Sequence, residues 1–175
     1  MKILIACIGN IFLGDDGFGV EVARQLARRP QPEGVDIRDY GIRGLDLCYA
    51  LLDPWDLVIL VDAAPRGGPP GTIYIIEPEL PASGAYPDPH DLNPVAVLSA
   101  VESMGGPRNP MLVVGCEPAD LGGEEGRIGL TPPVEAAVVE AIGIIENLVS
   151  QTARDGSLSV LEPSCVLRSP GKSSS

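Results

Sequence analysis

A chain of 175 residues is long enough for one compact domain with a sizeable core. Hydrophobic residues make up 45% of the chain but aromatic residues only 4%, so the core has to be built from Leu, Val, Ile and Ala. The formal net charge of −12 disfavours nucleic acid and anionic lipid as partners, and it favours cations or a basic partner.

Two further features predict a reduced, cytoplasmic protein. Every apolar run is far shorter than a membrane span, and the apolar N-terminus ends at Gly9-Asn10 without a signal-peptide cleavage site. The cysteines are widely spaced and include no C-x-x-C pair, so the sequence indicates neither a zinc knuckle nor a redox motif.

Short apolar runs alternate with amphipathic segments along the chain, which is typical of a sheet flanked by helices. Strands are predicted at 2–8, 35–40, 56–63, 71–77 and 111–117. Helices are predicted at 17–29, 44–52, 93–103 and 131–149. The link between the third and fourth strands is too short for a crossover helix, so these strands are expected to pair antiparallel. The prediction is an α/β fold, a three-layer α/β/α sandwich with a five-stranded, mostly parallel twisted sheet.

Residues 1–150 are predicted to form this single domain, and residues 151–175 a C-terminal tail that is partly mobile. Two helix starts carry capping signals. Asp15 or Asp16 is expected to cap the first helix, and Asn93 the third, with Pro94 at its first position.

Polar side chains follow the predicted strands, at the edge where open α/β sheets bind their ligands. Asp15 and Asp16 follow the first strand, Asp39 ends the second and Asp62 ends the third, while His90, the only histidine, lies in the loop after the fourth. These loops are expected to bring the carboxylates and the imidazole to one edge. Carboxylate oxygens with one imidazole nitrogen suit a divalent metal of the Ni, Zn, Mn or Fe type.

Each of these residues also has an ordinary structural explanation. Asp15 and Asp16 begin a helix, so at least one of them is a candidate cap. Asp62 is placed for an Asx-turn, Asp39 is typical of a strand end, and a solvated loop is the common setting for His90. Only their joint placement favours a metal site.

Other chemistries fit the sequence less well. The glycine-rich segment 9–19 lacks the dinucleotide-binding spacing, and an acid pair occupies the helix start where a phosphate would bind. The sequence has no G-x-S-x-G elbow and no H-E-x-x-H motif. Any conventional nucleophile triad would have to use His90 itself.

Four segments of the sequence together resemble the hydrogenase maturation proteases: IGNIFLGDDGFGVEVARQL, VDAAPRGGPPGTIYIIEP, PHDLNPVAVLSAV and RIGLTPPVEAAV. The resemblance runs from about residue 2 to residue 149. Members of that family trim a C-terminal peptide from the large-subunit precursor of nickel-iron hydrogenase once nickel has been inserted. The resemblance implies an α/β/α sandwich, an endopeptidase activity, that precursor as the partner and a monomeric state.

The resemblance also implies roles for individual residues. The metal-contacting positions of the family match Asp16, Asp62 and His90, and the metal is Ni²⁺ delivered by the substrate, with Zn²⁺, Cd²⁺ or Mn²⁺ as substitutes. For the cleavage step, Asp16, Asp39 and Asp62 are the candidate catalytic residues that activate water as a base. A metal that lowers the pKa of a bound water is the other route.

One region departs from the family. Many members carry an Asp-Gly-Gly-Thr-like box after the second strand, whereas this chain has Asp39-Tyr40-Gly41-Ile42-Arg43-Gly44 and lacks the threonine. Gly41, Arg43 and Gly44 are the substrate-binding residues that the resemblance implies, and the departure concerns the choice of hydrogenase rather than the reaction.

Two other functions fit the same candidate residues. A non-enzymatic nickel carrier or chaperone of hydrogenase assembly would use the same ligands but leave the precursor's mass unchanged. A small-molecule hydrolase would need a deep pocket in place of an open groove.

Overall fold

Strands and helices alternate along the chain in a computed structural model that describes residues 1–78, 94–155 and 166–168. The strands are β1 (Ile3–Ile8), β2 (Val35–Gly41), β3 (Leu57–Ala63), β4 (Ile73–Glu77), β5 (Met111–Cys116) and β6 (Val166–Arg168). The helices are α1 (Phe18–Leu26), α2 (Gly44–Ala50), α3 (Pro94–Ser103) and α4 (Pro132–Asp155). A short 3-10 helix, Gly14–Gly17, directly precedes α1.

The strands form one sheet in the order β2-β1-β3-β5-β4-β6. β2, β1, β3 and β5 are mutually parallel, β4 is antiparallel to β5, and the short β6 runs parallel to β4 at the edge of the sheet. Helices cover both faces, so the predicted α/β/α sandwich with a mostly parallel five-stranded sheet is confirmed, with β6 as a short addition.

The hydrophobic core has two layers, one on each face of the sheet. Ile3 and Ile5 of β1 pack with α1 and α4, whereas the alternate residues Leu4 and Ala6 pack with α2 and α3. β1 is buried along its whole length because it lies between two strands and under helices on both faces. This explains why its sequence is continuously apolar.

The fourth strand differs from the prediction in its pairing. β4 does run opposite to β3, but it pairs with β5, and β5 lies between them in parallel register with β3, with Asp62 beside Gly115. The predicted antiparallel pairing of the third and fourth strands is therefore wrong. The short link reverses the chain direction, but it leaves room for a later strand to enter.

This reversal also changes where the loop after β4 begins. We call the edge at which β1, β2, β3 and β5 end the carboxyl edge. Because β4 is antiparallel to β5, its last residue, Glu77, lies at the opposite edge, so the expectation that this loop leaves the carboxyl edge is wrong. His90 and Asn93 lie outside the described residues.

Helix α3 leads from the carboxyl edge back to the start of β5. Gly106, just beyond α3, packs against Leu52, just beyond α2, and against Val101. The two helices therefore run side by side in the same direction, both away from the carboxyl edge. Pro94, the first residue of α3, follows His90 by four positions in the sequence.

The last helix extends beyond its predicted end. α4 continues to Asp155, past the predicted helix end at 149 and the predicted domain boundary at 150. Among the described residues, no helix is both long enough and apolar enough to cross a bilayer.

Candidate active site

The glycine-rich segment after β1 brings Asp16 against the end of β3. A Cβ at Gly9 would lie 1.9 Å from the carbonyl oxygen of Asp16, and one at Gly19 would lie 2.5 Å from the carbonyl oxygen of Val61. Gly9 also has a φ of 142°, which side-chain-bearing residues rarely adopt. These glycines therefore allow the backbones to approach closely, and the segment packs an acidic loop onto the sheet.

Asp16 and Asp62 form the acidic pair of the site. The N–H of Asn10 donates to Oδ2 of Asp16 at 2.8 Å, and the N–H of Ala63 donates to Oδ1 of Asp62 at 2.8 Å. Burial is the larger cause and the negative charge of Asp16 the smaller one, and together they raise the pKa of Asp62 to about 8 against the opposing effect of the Ala63 hydrogen bond. The two carboxyl groups repel each other in the absence of a cation.

Asp15 has a structural role, which the sequence alone did not distinguish from the role of the adjacent Asp16. Its fully buried carboxylate accepts hydrogen bonds from the N–H groups of Ala119, Asp120 and Thr131 and from the Thr131 hydroxyl, at 2.6 to 2.9 Å. It thereby ties the Gly14–Gly17 turn to the segment between β5 and α4.

The expected capping role of Asp15 or Asp16 is wrong. Helix α1 begins after Gly17, and no side chain donates or accepts a capping hydrogen bond there. The two carboxylates are directed elsewhere: that of Asp15 to the β5–α4 segment, and that of Asp16 to the N–H of Asn10 near the end of β1.

Asp39 lies away from the acidic pair. It is level with Cys7 of β1, which is level with Val61 of β3, so Asp39 shares a face with Val61 and the α1–α4 layer. Asp62, one residue further, points to the opposite face. β1 separates the two strands, which places them about 10 Å apart. The exposed Asp39 carboxylate accepts from the N–H of Gly41 at 2.8 Å, which is an Asx-turn.

The predicted substrate-binding residues shape the turn between β2 and α2. Gly41 has a φ of 53°, and its carbonyl accepts a hydrogen bond from the N–H of Gly9. The Arg43 guanidinium donates to the carbonyl oxygens of Asp39 at 2.6 Å and Tyr40 at 3.1 Å. Gly44 begins α2. These residues place the turn beside the Asp16 loop, with the Arg43 side chain still largely exposed.

Glu117 is a buried acid at the same edge that sequence reasoning missed. Its carboxylate accepts from the N–H groups of Arg66 and Gly67 and from the Tyr74 hydroxyl. Burial acts to raise the pKa of Glu117, but these hydrogen bonds outweigh that effect and hold the pKa below its ordinary value. Glu117 thus orders the loop after Asp62. The sequence did contain a signal for it, because Glu117 ends the predicted fifth strand just as acidic residues end or follow the first three predicted strands.

The described residues contain no group of three or more His, Cys, Asp or Glu side chains placed to hold a metal ion. Asp16 and Asp62 are brought together, and His90, the third predicted ligand, lies outside the described residues. Within that part of the chain the site is an incomplete donor set of two carboxylates. Hard oxygen donors of this kind suit a divalent cation.

The fold and the site together define an α/β/α sandwich with an acidic pair at its carboxyl edge, where open α/β sheets bind their ligands. The comparisons with known proteins narrow this class. A family model described as hydrogenase maturation protease matches residues 20–148. The chain belongs to the hydrogenase maturation protease family.

Relatives and solved structures agree with this assignment. The hydrogenase 2 maturation protease of Escherichia coli K12 is 34% identical over 145 residues, which cover 81% of this chain and 87% of that protein. The hydrogenase expression/formation protein HupD of Bradyrhizobium diazoefficiens is 34% identical over 154 residues, covering 86% of this chain and 79% of that protein. The structure of the hydrogenase maturating endopeptidase HybD from E. coli is similar with a TM-score of 0.71 at 32% identity, covering 89% of this chain and 94% of that one.

Proposed function

We propose that this protein is an endopeptidase that removes the C-terminal extension of a nickel-iron hydrogenase large-subunit precursor after nickel has been inserted. Membership of the hydrogenase maturation protease family supports the class of reaction. The observation that supports roles for named residues is the convergence of Asp16, in the Gly14–Gly17 turn, and Asp62, near the end of β3, at the carboxyl edge.

Nickel enters this proposal as part of the substrate. Asp16 and Asp62, with His90, are the proposed contacts, and the remaining coordination positions are filled by the precursor's own ligands. Without a cation the two carboxylates repel, and the raised pKa of Asp62 is the measure of that repulsion and of burial. A precursor that carries nickel therefore binds more tightly than an empty one, and the protease acts on finished centres only.

Two routes are open for activating the attacking water. In the first, a carboxylate of the pair accepts the water's proton, and a pKa of about 8 for Asp62 is near the range in which general bases work at neutral pH. In the second, the nickel ion lowers the pKa of a bound water. Both routes use Asp16 and Asp62. In the first the pair supplies the base that takes the water's proton, whereas in the second the pair holds the metal that makes the water acidic.

The direct test is the mass of a large-subunit precursor co-expressed with this protein. The proposal expects a precursor shortened at its C-terminus in the presence of nickel and an unchanged mass when nickel is withheld. A nickel carrier with the same ligands would deliver metal and leave the mass unchanged. An unchanged mass with nickel fully loaded would overturn the endopeptidase proposal.

Ligand and base roles are separated by measuring binding and cleavage on the same variants. Isothermal titration of Ni²⁺ against His90→Ala, Asp16→Asn and Asp62→Asn reports the ligands, and equal affinities for wild type and His90→Ala would remove His90 from the site. A variant that keeps nickel affinity but loses cleavage identifies the base. Asp53→Asn, at an exposed position near the opposite edge, is the matched control.

A further inference from the structure

Many exposed apolar side chains lie on the segments that follow the carboxyl ends of the strands, as the acidic pair does. The described residues expose ten large hydrophobic side chains, and six of them lie on the loops of the carboxyl edge or in the first turn of α2. These six, which we call the apolar rim, are Ile11, Phe12, Ile42, Leu45, Leu121 and Ile128. Such clustering is unlike the scattered exposure of a passive surface, and clusters of this kind mark interaction sites.

The rim approaches the site from two sides. On one side, Ile42 in the β2–α2 turn and Leu45 in the first turn of α2 are 66% and 63% exposed, beside Gly41, whose carbonyl accepts from the N–H of Gly9. On the other, Phe12 and Ile128 are 62% and 82% exposed. The glycine-rich segment that carries Asp16 is bonded to both sides, through Gly9 to Gly41 and through Gly14 to Arg127.

The rim is held in place by hydrogen bonds beneath it. The N–H of Arg127, next to Ile128, donates to the carbonyl of Phe12 at 2.8 Å, and the N–H of Gly14 donates to the carbonyl of Arg127 at 2.7 Å. The buried Asp15 carboxylate joins the same two segments. The exposed side chains therefore project from backbone that is already ordered, which lowers the entropy lost when a partner binds.

We propose that the apolar rim is the docking surface for the precursor polypeptide on either side of its metal centre, so that an apolar segment contacts Phe12 and Ile128 while the metal meets Asp16 and Asp62. This inference rests on the proposed function and adds the chemistry of recognition. Charge complementarity selects the occupant: an apolar surface around two like carboxylates fits a chain that combines apolar residues with a bound divalent cation.

The test compares rim variants in binding and in cleavage of a purified, nickel-loaded precursor. The double variant Phe12→Ser/Ile128→Ser is expected to raise the KM for the precursor and its dissociation constant by about tenfold or more, with kcat close to wild type. Its affinity for free Ni²⁺ stays at the wild-type value, because neither side chain is a proposed ligand. The matched control is Val139→Ser, which removes a 64% exposed apolar side chain from α4.

The outcomes separate this inference from the proposed function. If the precursor binds with rim dependence but is never shortened, docking stands and the endopeptidase proposal fails. Wild-type KM and affinity in the double variant would overturn the docking surface. When affinity for the precursor is unchanged, two further measurements show what the rim does instead. One is conversion of a wild-type dimer to a monomer by the double variant, and the other is a loss of hydrogen-exchange protection in residues 79–93. These would assign the rim to a second copy or to that segment of this chain.

Discussion

Asp16 and Asp62 come close enough for the charge of the first to raise the pKa of the second. Burial is the larger cause, and together they raise the pKa of Asp62 to about 8 from an ordinary value of 3.8. Between these two values the folded protein holds a proton on Asp62 that the unfolded chain has released. The free energy of unfolding therefore falls as the pH rises through this window.

Asp62→Asn is expected to remove that loss of stability. At pH 8 the free energy of unfolding should exceed that of wild type by a few kcal/mol, since each unit of pKa shift corresponds to about 1.4 kcal/mol. The advantage should shrink as the pH falls towards 4, where the unfolded wild-type chain also begins to bind the proton. Urea denaturation at pH 4.5, 6 and 8 measures it, while cleavage is lost at every pH.

The control for this experiment is Asp53→Asn, an exposed carboxyl that pairs with Lys2 at 3.8 Å near the opposite edge. A change below about 1 kcal/mol is expected there at each pH, because exposed ion pairs contribute little. An Asp62→Asn advantage that did not vary with pH would contradict the raised pKa.

Local sequence pattern was enough to predict the four α-helices and the five principal strands, but not the 3-10 helix Gly14–Gly17. The Phe18, Val22 and Leu26 stripe of α1 is a local signal, and so is the apolar run of β3. The hydrogen-bond partners of Asp15 are not local, because they follow it by 104 to 116 positions. Nothing in the nearby sequence therefore distinguishes the buried, structural Asp15 from the half-buried Asp16. The entry of β5 between β3 and β4 is equally non-local.

The same limit applies to Asp39. Its position near a strand end was predictable from the sequence, and it lies two residues before the end of β2, near the carboxyl edge. The face on which its side chain lies depends on register with β1, which the sequence of β2 alone does not define. The sequence therefore grouped three acids of which the structure brings two together.

Asp15 is expected to position Asp16 as well as to stabilise the fold. In Asp15→Asn one accepting oxygen is replaced by an NH₂ group that faces other donors, so we expect a loss of about 1–3 kcal/mol in unfolding free energy. Because the Asp16 turn is then less firmly held, Ni²⁺ affinity should fall about tenfold, as for residues that orient metal ligands. Denaturation and titration calorimetry measure the two effects.

A buried polar residue at the opposite edge provides the comparison. Asn109 accepts from the N–H of Trp55 and donates to the carbonyls of Leu51 and Asp53. Asn109→Ala should lose similar stability and keep the wild-type nickel affinity. If both variants lost affinity equally, Asp15 would have no positioning role beyond general stability.

Gly19→Ala is expected to separate α1 from the ends of the central strands. Its Cβ would lie 2.2 Å from the carbonyl oxygen of Ile8 and 2.5 Å from that of Val61, and backbone atoms cannot move aside as a flexible side chain can. We expect a loss of about 3 kcal/mol in unfolding free energy, at the upper end for overpacking. The pKa of Asp62 should also fall as Asp16 moves away, which ¹³C-detected titration measures.

Gly143→Ala is the matched substitution in α4, where a Cβ meets nothing within 4 Å. It should raise the free energy of unfolding by about 0.5–1 kcal/mol, because alanine restricts the unfolded chain and favours helix. A Gly19→Ala protein as stable as wild type would show that α1 can shift without loss, and the close approach would not define the site.

Asp39→Asn is expected to leave cleavage intact. Asparagine keeps an oxygen that accepts the Gly41 N–H, so the turn beside the Asp16 loop is retained, and the side chain lies on the other face of the sheet from Asp62. With the nickel-loaded precursor, kcat should stay within about twofold of wild type, whereas Asp16→Asn should lose about a hundredfold or more, as is typical for a group that acts in proton transfer. Asp39→Ala tests the turn apart from the charge. It removes the oxygen that accepts the Gly41 N–H, so the turn is less firmly held and the KM for the precursor should rise. A loss in Asp39→Asn as large as that in Asp16→Asn would make Asp39 the base and would require β2 to rearrange when the precursor binds.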